Sequence, residues 1–173
     1  INQLNINSHL LDSPHKSWSN FESVLCKPID ISGAKKTKIF KRGWRSLIKD
    51  PSIIFNKKKE TIKFHFDMHH GHGNLDKAIK LLEGTDKQEF KEFVSKKNIF
   101  NPHIMVISKP QILDRWFNDL FRWLKRCEEV FSPDLLIGYD TTRLYAYLAE
   151  RYLSFWFRKN TKYFENPWVF IDN

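Results

Sequence analysis

The stretch Tyr139–Phe157, YDTTRLYAYLAERYLSFWF, decides how the rest of the chain reads. Leu144, Tyr147, Leu148, Arg151, Tyr152 and Phe155 recur at helical spacing, so they share one side and predict an amphipathic helix. Asp140 or Thr141 stands where a short oxygen-bearing side chain can cap the free amides of a first turn. Arg143 and Glu150 fall outside a simple apolar stripe, two turns apart on nearly one side with Tyr147 between them. A charge in a helix this crowded with aromatic groups must be paired or hydrogen-bonded. The two residues are therefore either a structural strut or one wall of a polar ligand site.

Around this helix lies a chain of 173 residues, 41% hydrophobic, with 15 Phe, 6 Trp and 5 Tyr. That is enough for one core and not comfortably for two. No charged segment followed by an apolar run marks a leader, and no apolar run approaches the length of a bilayer span. The opening at Ile1 rather than Met reads as a piece of a longer product. Cys26 and Cys127 have neither metal spacing nor the density of a disulfide scaffold, which points to a reducing compartment and a cytoplasmic location. The net charge of +9 comes from 29 Lys and Arg against 20 Asp and Glu, and draws the chain toward phosphates, anionic lipid or acidic substrates. It is concentrated in residues 35–63, where Lys35, Lys36, Lys38, Lys41, Arg42, Arg45, Lys49, Lys57–Lys59 and Lys63 face only Asp50 and Glu60. No nucleic-acid recognition motif accompanies this run, so a lipid surface, the phosphates of a substrate or solvent is favoured, and a basic nucleic-acid module rests on charge alone.

Residues 1–34 are poorly periodic, with a short helical pattern around Trp18, Phe21, Val24 and Leu25 that Pro28 ends. His9 and His15 read as surface groups. A short helix over 42–49 would stack Trp44 with Leu47 and Ile48 and turn Arg42, Arg45 and Lys49 outward. The densest chemistry follows in Thr61–Asn74, TIKFHFDMHHGHGN. Ile62, Phe64, Phe66 and Met68 alternate with polar residues, which predicts a strand feeding a glycine-rich turn. Asp67, His69, His70 and His72 would then sit at a strand end as candidate acids, bases or substrate-orienting groups. Imidazole and carboxylate also suit zinc or manganese, although the spacing is not that of a His-Glu-x-x-His site.

Asn74 caps a helix through Leu82 that stops near Gly84, and Thr85 with Gln88 forms a capping-box pattern for the next. Ile104–Ile107 reads as a central apolar strand with Asn98, Asn101 and His103 at its mouth. Asn101 and His103 are candidates for bonding a hydroxyl-rich ligand. Pro110 is placed as the first residue of a long helix to about Val130, with Trp116, Leu120, Trp123 and Cys127 on its apolar face; Cys127 reads as a core thiol. Trp168–Ile171 would form a closing strand. The organisation expected is an irregular basic segment or domain remnant over 1–59 and an α/β domain over 60–173, mostly helical after residue 74.

The order of NPHIMVISK, the aromatic helix WFNDLFRWL, the YDTTR turn and the LAERYLSFWF helix resembles the C-terminal part of the bacterial capsular and cell-wall polysaccharide glycosyltransferases known as the domain-of-unknown-function 4422 family. FDMHHGHGNLD looks like that family's histidine-bearing segment before an Asp-Leu helix start. The resemblance covers roughly residues 60–171. It implies a GT-A-like glycosyltransferase fold or its acceptor-side half, and transfer of a sugar from a nucleotide-sugar to a capsular or cell-surface glycan. His70 or His72 matches the family histidine; Met105, Val106 and Ile107 match its strand motif; Arg143, Glu150 and Arg151 match its Arg and Glu-Arg signature. Ile104 stands where that family usually has asparagine, and neither its His-Tyr-Arg-Arg motif nor an Asp-x-Asp element has a counterpart here. The resemblance thus implies that a missing N-terminal region or a partner chain supplies nucleotide and metal binding, with Mg2+ or Mn2+ accompanying the donor.

On that reading Asp67 takes the acceptor proton, with His70 and His72 as alternative bases. Arg143 and Arg151 bind phosphate or hold Glu150, and Tyr139 or Trp116 packs on a sugar face, Trp116 also fitting the core. The expected partners are a nucleotide-sugar and a glycan acceptor, with a peripheral contact at the inner face of the membrane. A noncatalytic glycan-binding or assembly domain is the alternative.

Overall fold

A four-residue strand in the supposedly irregular opening segment organises the sheet. In the computed structural model, which describes residues 13–131, 136 and 138–169, β1 (Ser23–Cys26) and β2 (Ile29–Asp30) precede α1 (Lys36–Lys49), α2 (Ile62–His69), α3 (Asn74–Lys80) and α4 (Asp86–Lys96). Then come β3 (Ile99–Phe100), β4 (Val106–Ser108), α5 (Pro110–Val130), α6 (Tyr139–Thr142), α7 (Leu144–Asn160) and β5 (Tyr163–Asn166). The chain is mixed α/β and mostly helical. β1 is the middle strand of three, antiparallel to β4 and parallel to β5, with Val24 opposite Ile107 on one side and Phe164 on the other. β2 and β3 form a separate two-stranded pair. The expected helical turn around Trp18–Leu25 is thus a 3-10 turn at Lys16–Asn20 followed by β1, all four of whose residues are buried, as a middle strand requires.

The main core joins Leu25 of β1 to Ile62 and Phe66 of α2, Phe90 of α4, Trp116 and Trp123 of α5, and Leu148, Tyr152 and Trp156 of α7. Two indole N–H groups buried there have partners, the usual condition for burying a Trp: Trp123 donates to the Ala78 carbonyl at 2.8 Å and Trp156 to the Asp119 carboxylate at 2.8 Å, whereas the buried Trp116 Nε1 has none among the described residues. Pro110 opens α5 as expected, and Cys127 is a buried free thiol. Burial pushes its pKa up to about 12. A second, smaller cluster packs Ile39 and Leu47 of α1 and Ile53 against Phe64 and Met68 of α2.

The largest correction concerns residues 61–69, which are a helix and not a strand. Thr61 caps it, its hydroxyl accepting from the Phe64 N–H at 3.3 Å. The alternation in the sequence has a helical origin. Ile62 and Phe66 are four apart and face the main core, while Phe64 and Met68 are four apart and face the second cluster. Two apolar edges on opposite sides of one helix, offset by two residues, reproduce a period of two. The two polar edges left between them carry Lys63 with Asp67 and His65 with His69.

Other expectations shift more modestly. β4 is an edge strand starting at Val106, and Ile104, Met105 and Ile107 are exposed. The closing strand is Tyr163–Asn166, and Trp168 lies after it; Phe170 and Ile171 lie outside the described residues, as does His9. α1 is longer than expected and exposes Trp44 and Ile48, because Ile39, Gly43 and Leu47 form its buried row. Gly73, in the left-handed region at φ 82°, precedes α3 where Asn74 was expected to cap. Thr85 makes no capping bond. Asp140 and Thr141 lie within the single turn of α6, the Asp140 side chain being outside the described residues, and α7 starts at Leu144 after Arg143.

Candidate functional site

α2 carries the candidate chemistry on its two polar edges. On the first, Asp67 is buried, yet it lines a hollow of about 210 Å³ together with Ser46, Lys49, Ile53, Lys59, Lys63, His72 and Asp76. Its Oδ1 accepts the Gly73 N–H at 2.9 Å. Its Oδ2 lies 3.5 Å from Lys63 Nζ and 3.5 Å from His72 Nδ1. The turn after α2 makes this possible. Gly71 at φ 95° and Gly73 at φ 82° adopt backbone open to glycine, and the Asn74 side-chain amide donates to the His70 carbonyl at 2.9 Å. The chain thereby doubles back and presents the Gly73 N–H to Asp67.

Lys63 bridges outward, pairing with Asp76 as well. Lys63 and Asp76 also line an adjoining groove of about 490 Å³ bordered by Lys80, Lys87 and Lys91. Lys59 is held by Asp50 at 2.6 Å. The two hollows therefore meet at one lysine–aspartate pair and share a cationic rim, an arrangement suited to phosphate oxygens or an acidic sugar.

The second edge is an aromatic stack. His65 and His69 lie with ring centroids 4.6 Å apart, and Arg42 Nη1 approaches His69 Nδ1 at 3.4 Å. His70 stacks on Tyr147 of α7, centroids 3.7 Å apart and planes 20° from parallel. Beneath them Arg151 is buried, its guanidinium 3.8 Å over the Phe100 ring and paired with Glu150. Burial pushes His65 from its ordinary value near 6.5 down to about 3, with further help from the nearby Arg151, His69, His70 and Lys38. His65 is thus a neutral ring packed beside a cation.

The sequence-expected residues divide between these places. Asp67 and His72 meet at the first hollow, and His70 lies in the stack. Glu150 holds Arg151 and accepts the His103 N–H, so this acid and its neighbouring arginine form a strut that also fixes a loop. His103 has a left-handed backbone at φ 60° and its ring lies edge-on to Trp168, centroids 5.2 Å apart. Asn101 is fully buried: its N–H donates to Ser154 Oγ at 2.7 Å and its side-chain amide to the Cys26 carbonyl at 2.6 Å. Arg143 is exposed between α6 and α7, the Tyr139 side chain lies outside the described residues, and Trp116 is core. Lys49, Lys59 and Lys63 line the hollow although the sequence marks none of them as a site residue, only as members of the basic run with Lys49 on the outward side of a helix. The signal that could have found Lys63 is its spacing of four from Asp67. Among the described residues no three His, Cys, Asp or Glu side chains are grouped to hold a metal ion.

Comparison with protein families gives a match over residues 15–161 to the family described as Domain of unknown function (DUF4422). The match begins well before the stretch that carries the resemblance in the sequence, taking in β1 and α1. No curated protein and no solved structure matches the chain.

Proposed function

The chain belongs to the DUF4422 family, and we propose that it transfers a sugar from a nucleotide-sugar donor to a capsular or other cell-surface polysaccharide, on a GT-A-like fold or the acceptor-side half of one. The observation that carries this reading is Asp67: a buried carboxylate at the wall of a hollow, one oxygen held by the Gly73 N–H and the other 3.5 Å from both Lys63 Nζ and His72 Nδ1. A carboxylate held by one oxygen and reachable at the other is positioned as a proton acceptor.

In the proposed step an acceptor hydroxyl oxygen forms the new bond to the anomeric carbon. The bond from that carbon to the donor phosphate oxygen breaks with its electron pair, and the hydroxyl proton passes to Asp67 Oδ2. Lys49, Lys59 and Lys63 stand along the same hollow, where they oppose the charge that builds on the departing diphosphate. His72 orients the carboxylate from its open side. Any divalent cation accompanying the donor would supply further neutralisation of that diphosphate.

The alternative, a noncatalytic glycan-binding role, follows where Asp67 serves only the fold. Gly73, Lys63 and His72 together surround Asp67 as a latch on the Gly71–Asn74 turn would. The two readings separate in one experiment, in which the purified chain is incubated with labelled nucleotide-sugars and capsular oligosaccharides. Label appearing in the glycan supports transfer; saturable glycan binding without release of nucleoside diphosphate supports the binding role; neither binding nor turnover overturns both.

A further inference from the structure

We propose that α1 docks the protein on an anionic lipid surface. The helix has two apolar rows at spacing four. Ile39, Gly43 and Leu47 are buried, with Gly43 close against Phe64 and Met68. Phe40, Trp44 and Ile48, one position on, are 55%, 50% and 73% exposed. The second row therefore faces outward from the described fold. Lys36 continues this row, and its ammonium lies 5.8 Å from the ring of Phe55, itself 83% exposed. Together these groups make a contiguous outward apolar strip, the kind of surface that marks an interaction site.

Charge identifies the occupant. Lys41, Arg45 and Lys49 form the next row of the helix, and Arg45 lies 5.3 Å over the Trp44 ring. A basic head beside an aromatic ring matches the headgroup depth of a bilayer, where the ring sits in the interface and the cation meets lipid phosphate. Two copies of this chain meeting through the strip would bring like charges together. A nucleic acid would be served by the cations and rings but gains little from Ile48, the most exposed residue of the row. Ser46 and Lys49 of α1 also line the Asp67 hollow, so docking would hold that hollow beside the lipid headgroups. Docking of α1 does not depend on the proposed transfer reaction.

The test is co-sedimentation of the full chain with vesicles of phosphatidylcholine alone and of phosphatidylcholine mixed with phosphatidylglycerol, using two variants. Wild type should sediment with the anionic vesicles and not with the neutral ones. Trp44→Ser/Ile48→Ser should weaken that partition by about ten-fold or more, and Lys41→Glu/Arg45→Glu should abolish it, with circular dichroism of both unchanged. The charge variant keeps the test decisive if the apolar one misfolds. Absence of wild-type binding overturns the proposal, as does equal binding by a folded Trp44→Ser/Ile48→Ser protein. Two other outcomes also overturn it: preferential retention by single-stranded RNA, or a dimer that the apolar variant dissolves while no vesicle is bound.

Discussion

His70 stacks on Tyr147 with ring centroids 3.7 Å apart, so the glycine-rich turn after α2 is fastened directly to the face of α7. A near-parallel aromatic pair contributes about 0.5–1.5 kcal/mol beyond the area it buries. Tyr147→Ala should therefore lower stability by about 1–2 kcal/mol, or about 2–8 °C in melting temperature for a chain of this size. Tyr147→Phe keeps the ring and should melt close to wild type in the same calorimetric scan. Equal losses in both variants would move the contribution from the ring to the hydroxyl.

Acid sensitivity should come from His65. Its folded pKa lies below its ordinary value, about 3 against 6.5, so between those values the unfolded chain binds more protons. Its contribution to stability is complete above about pH 6.5 and is lost as pH falls toward 3. In chemical denaturation across that window, His65→Leu should lose less stability with falling pH than wild type. Parallel pH profiles would show that the ring titrates normally in the fold.

Arg151 is 2% exposed, sits over Phe100 and pairs with Glu150. Removing one partner of a buried ion pair costs about 3–5 kcal/mol, because the other charge is left uncompensated. Arg151→Met should show a loss of that order in denaturant midpoint. Arg151→Lys should recover only part of it, since an ammonium cannot lie flat on the ring. Near-wild-type stability for Arg151→Met would argue that the arginine serves a ligand and not the fold.

How much of this was legible beforehand differs from element to element. α5 was readable because it has one broad apolar face, so the 3.6-residue period survives in Trp116, Leu120 and Trp123; α7 shows the same period in Leu144, Leu148, Tyr152 and Phe155, although Arg151–Phe157 are buried on every side and the helix is not simply amphipathic. α2 was not, because Ile62 and Phe66 serve one core while Phe64 and Met68 serve another, and the sum of two helical faces imitates a strand. β1 was hidden for a different reason. It is only four residues long, and its partners Ile107 and Phe164 come from sequence far away. At the site, Asp67, His70 and His72 were conspicuous by composition, whereas the lysines that line the hollow with Asp67 were lost in a basic run. Nothing local told that Asn101 would be consumed by Cys26 of β1 and Ser154 of α7.

The turn that aims the Gly73 N–H is itself testable. Gly71 has φ 95°, and a Cβ there would collide with the Asn74 amide. Gly71→Ala should thus cost about 1–3 kcal/mol from backbone strain and loosen the Asn74–His70 bond. Amide hydrogen exchange at Gly73 should quicken in this variant. Unchanged protection would mean that Asp67 does not depend on the turn.

The most direct test of the central claim is the transfer rate of Asp67→Asn, measured with a donor and acceptor that the wild-type chain uses. The amide is nearly isosteric and can still accept the Gly73 N–H, so the melting temperature should stay within a few degrees. It cannot take up a proton, so kcat should fall by about 10²–10⁴-fold with little change in donor affinity. A folded Asp67→Asn protein that transfers sugar at the wild-type rate would contradict the assignment of Asp67 as the base.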